Sequence, residues 1–256
     1  MKILFIGDIV DQPGRETVRE FLPQAIKENE IDFVIANAEN LAHGRGATLE
    51  TIQEMQIAGV NYFTSGDHIF WQKGFDEVIE SLPVLRPANL PGDHPGKGYA
   101  VIDSGKEGDV LLINLMGRTF LNERLDDPFQ TADKILEEHK DAGIKTIIVD
   151  FHSNATSEKY AFAHYLDGKV TAVLGTHTHV PTSDTLVLPQ KTLYVTDAGM
   201  TGIIDSVLGV KKEIIIKLYT TGLNQRFFWE DTGRRAFRSV VLDTQKTTIS
   251  RFDKEY

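Results

Sequence analysis

Apolar residues in this chain fall into short runs, each handing over to a stretch with helical spacing. The run from Lys2 to Gly7 closes on Asp8, after which Val18, Phe21, Leu22 and Ile26 recur at the interval of a helix over 13–27. The pattern returns as a run over 31–38 closed by Glu39 and Asn40, a glycine-containing loop from His43 to Gly46, and a helix over 49–58. A third run, 61–65, ends in Gly66, Asp67 and His68, and a helix near 75–81 follows. Prolines in 85–92 forbid helix there, so that segment reads as an extended crossing loop. Residues 99–103 and 110–115 read as a hairpin joined by 104–109. Asp127 and Pro128 open a helix, 146–151 is a buried strand ending at His152, and a helix over 156–166 leads to a buried run at 171–175. Beyond Asp184 the texture changes to short strand-like stretches at 185–188, 192–196, 214–219, 239–243 and 247–252. The pattern predicts an α/β fold, with the later strands forming a second sheet packed on the first and helices outside.

In open α/β sheets, polar groups gather beyond the carboxyl ends of strands, because loops there converge above a rigid sheet. Here Asp8, Glu39 with Asn40, Asp67 with His68, His152, and His177 with His179 stand at such ends. The last pair lies in Leu174-Gly-Thr-His-Thr-His-Val180; two apart in extended backbone, both imidazoles would point to one side. Taken singly, each residue has a plainer reading. Asp8 suits a turn or cap, and the two histidines suit a solvated loop residue and a hydrogen-bonded structural one. Taken together, strand after strand ends in ligand chemistry, the donor set of a two-metal site with a bridging carboxylate.

Composition narrows the partners. At 256 residues, with no repeat, low-complexity tract or linker, the chain reads as a single domain over 1–256. A net charge of −10 argues against stable binding of duplex nucleic acid, which requires a basic surface. A phosphate substrate stays compatible where metal ions supply the positive charge. With no cysteine, any metal must be held by His, Asp, Glu and Asn, which suit manganese, iron or zinc. The apolar run at Met1–Asp8 is too short for a signal peptide or a membrane span, so a cytoplasmic protein without membrane attachment is expected.

The segments Ile6-Gly-Asp-Ile-Val, Asn37-Ala-Glu-Asn, Gly66-Asp-His, Asp150-Phe-His and Gly175-Thr-His-Thr-His resemble the metal-binding blocks of calcineurin-like metallophosphoesterases. More closely, the chain is similar to the bacterial YmdB-type phosphodiesterases, which it matches further at Arg86-Pro-Ala-Asn89, Gly117-Arg-Thr-Phe-Leu121, Leu125-Asp-Asp-Pro-Phe129, Ala155-Thr-Ser-Glu158 and Thr196-Asp-Ala-Gly-Met-Thr-Gly202. The resemblance runs nearly from end to end. It implies a four-layer α/β/β/α sandwich and two divalent or trivalent ions per chain, iron or manganese ahead of zinc. By that likeness Asp8, Asn40 and His179 bind one ion, Asp67, His152 and His177 bind the other, Glu39 bridges them, and His68 is a general acid rather than a ligand. The implied substrates are small or cyclic nucleotide phosphodiesters such as 2′,3′-cyclic AMP. The family usually carries asparagine at position 67. The extra carboxylate of Asp67 is expected to dampen Lewis acidity and raise the pKa of the water between the metals.

Around this core, two residues are candidates for substrate contact: His43, which is equally an exposed loop histidine, and Arg118, whose planar fork suits either a phosphate or a structural ion pair. Phe70 and Trp71 have the rings to stack on a base but read as core anchors; His94, His139 and His164 read as surface or helix residues. Asp126 and Asp127 read as a helix start. Three functions compete: a phosphodiesterase, a phosphomonoesterase or short-RNA nuclease with the same chemistry, and a regulatory protein that keeps its metals with slow or no turnover. His68 favours an enzyme, since a structural metal site needs no acid beside its ligands. Self-association into a homo-oligomer is compatible with the sequence.

Overall fold

The structure, a computed structural model, describes residues 1–105, 108–121 and 124–256. It is a mixed α/β fold with several sheets. The first has the order β14-β13-β1-β3-β4, built from β1 (Lys2–Ile6), β3 (Phe33–Asn37), β4 (Tyr62–Thr64), β13 (Ser239–Asp243) and β14 (Thr248–Arg251). The second has the order β5-β6-β7-β8-β10-β9, from β5 (Tyr99–Asp103), β6 (Asp109–Met116), β7 (Thr146–His152), β8 (Ala172–Thr176), β9 (Leu186–Val187) and β10 (Leu193–Val195). A smaller sheet joins β2 (Asp8–Ile9), β11 (Met200–Ile203), β12 (Arg235–Phe237) and β15 (Lys254–Glu255).

Side-chain alternation decides what each face covers, because successive residues of a strand point to opposite sides. Ile3 and Phe5 of β1 and Phe33 and Ile35 of β3 share one buried cluster with Val110 and Leu112 of β6 and Ala172 and Leu174 of β8. The intervening Leu4, Ile6, Val34 and Ala36 pack instead with residues of α1 (Asp11–Asn29) and α2 (Leu49–Ala58). On the second sheet, Leu111, Ile113 and Val173 pack with residues of α4 (Pro128–His139) and α5 (Thr156–Tyr165). The central strands of both sheets are thus buried on both faces, which is why they are nearly continuous apolar runs.

Strong local signals agree with the structure. Asp127 caps α4, its Oδ1 accepting the N–H groups of Phe129 at 2.9 Å and Gln130 at 3.2 Å, with Pro128 in the first turn. The helix expected near 75–81 is a short α3 (Phe75–Val78) continued by a 3₁₀ turn. The antiparallel pairing of β5 with β6 matches the expected hairpin, but Lys106 and Glu107 of its turn lie outside the described residues.

Two expectations need correction. Residues 214–219 are not a strand but lie in α6 (Lys212–Thr221), a surface helix of which only Ile215 is buried and which ends at Gly222 with φ 68. A run of isoleucines favours strand by propensity, but among the described residues no strand pairs with it, and the glycine supplies the left-handed cap. Nor do the later strands by themselves form the second sheet: those at 186–187 and 193–195 join its edge beside strands from the middle of the chain, while β13 returns antiparallel to β1 in the first sheet, pairing Ile6 with Ser239 and Lys2 with Asp243. Periodicity sees each strand's faces but not its partner.

Candidate metal centre

The carboxyl ends of the parallel strands of both large sheets meet across one site. Ligand-type atoms of Glu39, Asp67, His152 and His177 lie within 4.8 Å of one another, and so do those of Asp8, Glu39 and His179. Glu39 belongs to both groups and is 1% exposed. His152 Nε2 stands 3.2 Å from Glu39 Oε2, 3.2 Å from Asp67 Oδ1 and 3.0 Å from His177 Nδ1. On the other side, the Asn40 amide lies 3.1 Å from Glu39 Oε1, 3.4 Å from Asp8 Oδ1 and 3.2 Å from His179 Nε2. The structure therefore brings together every residue that the sequence offered as a ligand.

Hydrogen bonds at the back of the histidines aim them. Thr176 Oγ1 donates to Asp150 Oδ1 at 2.7 Å, so the same oxygen accepts from His152 Nδ1 at 2.9 Å and leaves Nε2 to the site. The Leu208 carbonyl does the same for His179 Nδ1 at 3.1 Å. Leu208 could not be found from the sequence, because a backbone acceptor has no residue signature.

The expected extended backbone at the histidine pair is wrong. His177 has φ 101 and His179 φ 64, conformations that non-glycine residues rarely adopt unless their surroundings impose them. Here Asp8 Oδ2 accepts the His177 N–H at 3.2 Å, and Asp197 Oδ2 accepts the Thr178 N–H at 3.0 Å and its hydroxyl at 2.7 Å. Asp197 is in turn paired with Lys159 at 2.8 Å, and Lys159 also donates to the Thr176 carbonyl at 2.7 Å, both side chains fully buried. A lysine on a helix looks like a surface residue, so sequence reasoning missed it; Asp197 lay inside a recognised segment without a role.

Charge and space both fit a cation. Burial pushes Glu39 well above the usual carboxylate range despite the neighbouring His152, with Asp67 and Asp8 adding repulsion. Burial alone would lower His152, yet the carboxylates of Glu39, Asp67 and Asp8 outweigh it and hold the imidazole up to about 10. Burial and that positive ring together push His177 down to about 3. A proton on His152 thus does electrostatically what an ion among these donors would do. The cleft also depends on Gly66, where a Cβ would stand 2.1 Å from Glu39 Oε2 and 2.3 Å from His152 Nε2. Oxygen and imidazole donors of this kind suit divalent metals.

His68 belongs to neither donor group. Its Nδ1 is 2.9 Å from Asn40 Oδ1 and its Nε2 is 3.4 Å from Asp67 Oδ2. Burial lowers its pKa, opposed by Asp67. Arg118 pairs with Asp127 at 2.8 Å and His43 is exposed, lining a cavity of about 1170 Å³ with Asp11, Arg15 and Trp229. His94 stacks on Phe70 at 5.9 Å, while His139 Nδ1 lies 2.8 Å from the Ile135 carbonyl within α4. Phe70 packs against the core, but Trp71 does not, being 58% exposed with its ring 5.2 Å from that of His68. The turn after β4 swings it outward, a direction that residue type alone does not encode.

Comparison with known proteins gives a consistent result. A profile of the family described as YmdB-like protein matches residues 4–253. The 2′,3′-cyclic-nucleotide 2′-phosphodiesterase of Bacillus subtilis (strain 168) is 44% identical over 252 residues, covering 97% of this chain and 93% of that one. A hypothetical protein from Thermus thermophilus has a crystal structure that superposes with a TM-score of 0.91 at 40% identity, over 100% of this chain and 99% of that chain. A Mycoplasma pneumoniae protein described as a novel phosphatase superposes with a TM-score of 0.90 at 31% identity, over 100% and 93% of the two chains. Among the described residues, no helix is long and apolar enough to cross a membrane.

Proposed function

The chain belongs to the YmdB-like family, and on that premise we propose that it is a metal-dependent phosphodiesterase acting on small or cyclic nucleotide diesters such as 2′,3′-cyclic AMP. The observation that carries the reading is the convergence of buried carboxylates and imidazoles on Glu39, around a space that Gly66 keeps free of side chain. In this reading, Asp8, Asn40 and His179 hold one ion, Asp67, His152 and His177 hold a second, and Glu39 serves both, with iron or manganese as occupants. When bound, such a pair polarises phosphoryl oxygens and lowers the pKa of a water to make a nucleophile at neutral pH.

The chain's own residues supply the rest. Thr176 and Leu208 fix which imidazole nitrogen faces inward. His68, anchored at Nδ1 by Asn40, presents Nε2 to the leaving alkoxide and protonates it as the phosphorus–oxygen bond breaks. The shared apolar cluster between the two sheets, with helices on the outer faces, supports the four-layer sandwich and a single domain over 1–256.

The test pairs elemental analysis of protein purified without added metal with hydrolysis of 2′,3′-cyclic AMP and bis-p-nitrophenyl phosphate by the same sample. Near two ions per chain with diester cleavage is the expected result. Two ions without cleavage, even after reconstitution with manganese or iron, would replace this reading with a regulatory one.

A further inference from the structure

Beside His68 lies a group of side chains that the metal chemistry does not use. The Arg45 guanidinium carbon sits 4.8 Å from the centre of the Trp71 ring and 5.6 Å from that of Phe227. Trp71 is 58% exposed and its indole meets the His68 imidazole at 5.2 Å with an interplanar angle of 74°. Among the described residues, the Arg45 guanidinium has neither a carboxylate partner nor a hydrogen bond acceptor. The same holds for Arg226, which with Arg45, Gln225, Phe227 and Trp229 lines an adjoining cavity of about 410 Å³. Both cations pack on aromatic rings, Arg226 lying 5.1 Å from the centre of Phe228, yet on a chain of net charge −10 neither meets a carboxylate among the described residues, which leaves their N–H donors unspent. Nor does burial explain the indole, since an exposed tryptophan gives up the apolar transfer that normally fixes such a ring in a core.

We infer that Trp71, held by Arg45, is the platform on which the nucleobase of the substrate stacks, so that the enzyme selects diesters carrying a base close to the reacting phosphate. The inference rests on the phosphodiesterase reading above. If the leaving oxygen is a ribose hydroxyl, the group that protonates it touches the ribose, and the base is carried on that same sugar. Trp71 is the aromatic ring in contact with the group assigned that role. Arg45 packs on the indole by cation–π attraction, which fixes its orientation, and the N–H donors it has not spent suit acceptors on the base edge or sugar. Stacking tolerates any base, so the platform selects nucleotides as a class without choosing among them.

The experiment compares two substrates: 2′,3′-cyclic AMP and its base-less counterpart, 1-O-methylribose 2′,3′-cyclic phosphate. Base–aromatic stacking contributes about 1–3 kcal/mol, or roughly 5- to 150-fold. Trp71→Ala should therefore lower kcat/KM for the nucleotide at least about fivefold further than for the base-less diester, mostly through KM, and Trp71→Phe should restore most of that difference. The chain has 2 tryptophans, so AMP should also quench the fluorescence of the wild type, with the quench lost in Trp71→Phe. Equal losses on both substrates in Trp71→Ala, or an undiminished quench in Trp71→Phe, would overturn the inference. Should the wild type cleave neither substrate, the phosphodiesterase reading fails by itself, and the AMP quench still decides whether Trp71 stacks on a base.

Discussion

At the strand ends, Asp8, Glu39, Asn40 and His152 are shut away from solvent and each has close polar neighbours within the site. A few side chains away, Trp71 lies open to solvent, and along the 43–46 and 224–229 segments Arg45 and Arg226 have no acid partner among the described residues. The floor has traded adaptability for fixed geometry, as groups that must aim at a cation require. The rim keeps unspent donors and open rings, which have value only when something else arrives. A buried polar group without a partner is costly, whereas an exposed one remains solvated until it binds. Solvent access thus decides which residues have free valence for a substrate.

Substitutions can test this contrast, beginning where the floor is tightest. Gly66→Ala should place a methyl group among the ligand atoms, lowering metal content and cutting diester hydrolysis by about two to three orders of magnitude; elemental analysis and rate on one sample would show it. Lys159→Met leaves Asp197 buried without its cation and should cost about 3–5 kcal/mol, a fall in Tm of roughly 10 °C. Burial raises the Asp197 pKa, but Lys159 and hydrogen bonds from Thr178 and Gly199 outweigh it and hold the group below its usual 3.8. The pair therefore stabilises above that value and loses its effect as pH falls through the lower folded pKa, so the two melting curves should converge in acid.

Thr176→Val removes the oxygen that receives the His152 proton and should weaken metal binding by about 10- to 100-fold, measured by competition with a chelator. Asp67→Asn lowers the negative charge facing the ions, and the acid limb of the pH–rate profile should shift to lower pH by up to about one unit; unchanged profiles and metal preference would remove that role. At the small end, Arg118→Met breaks only an exposed pair with Asp127 and should change stability by less than about 1 kcal/mol in thermal unfolding, with little effect on kcat/KM. A large loss of activity there would extend the functional rim well beyond Arg45 and Trp71.

How much of this could be read in the sequence follows the same division. Asp8, Glu39, Asn40, Asp67, His152, His177 and His179 were legible because each follows an apolar run, and strand ends are where such folds gather polar groups. Their backbone was not, because the left-handed turns at His177 and His179 are imposed by Asp8 and Asp197, remote in sequence. Lys159 was invisible since nothing local distinguishes a buried lysine from a solvated one. Trp71 was misplaced because size and apolarity favour a core position, and only the path of the turn decides otherwise. Sheet membership failed likewise at β13, whose residues carry no mark that names β1 as partner.

That pairing has a consequence for how the protein comes into being. Strand β1 lies between β3 and β13, and Asp8 is tied through its own N–H to the carbonyl of Gly199 at 3.1 Å. During synthesis the first candidate ligand leaves the ribosome long before the segments that hold it, and contacts of such sequence separation form late. The first donor is therefore held by segments near 199 and 239–243 that emerge late, and under the proposed metal-dependent reading ion capture would follow their arrival.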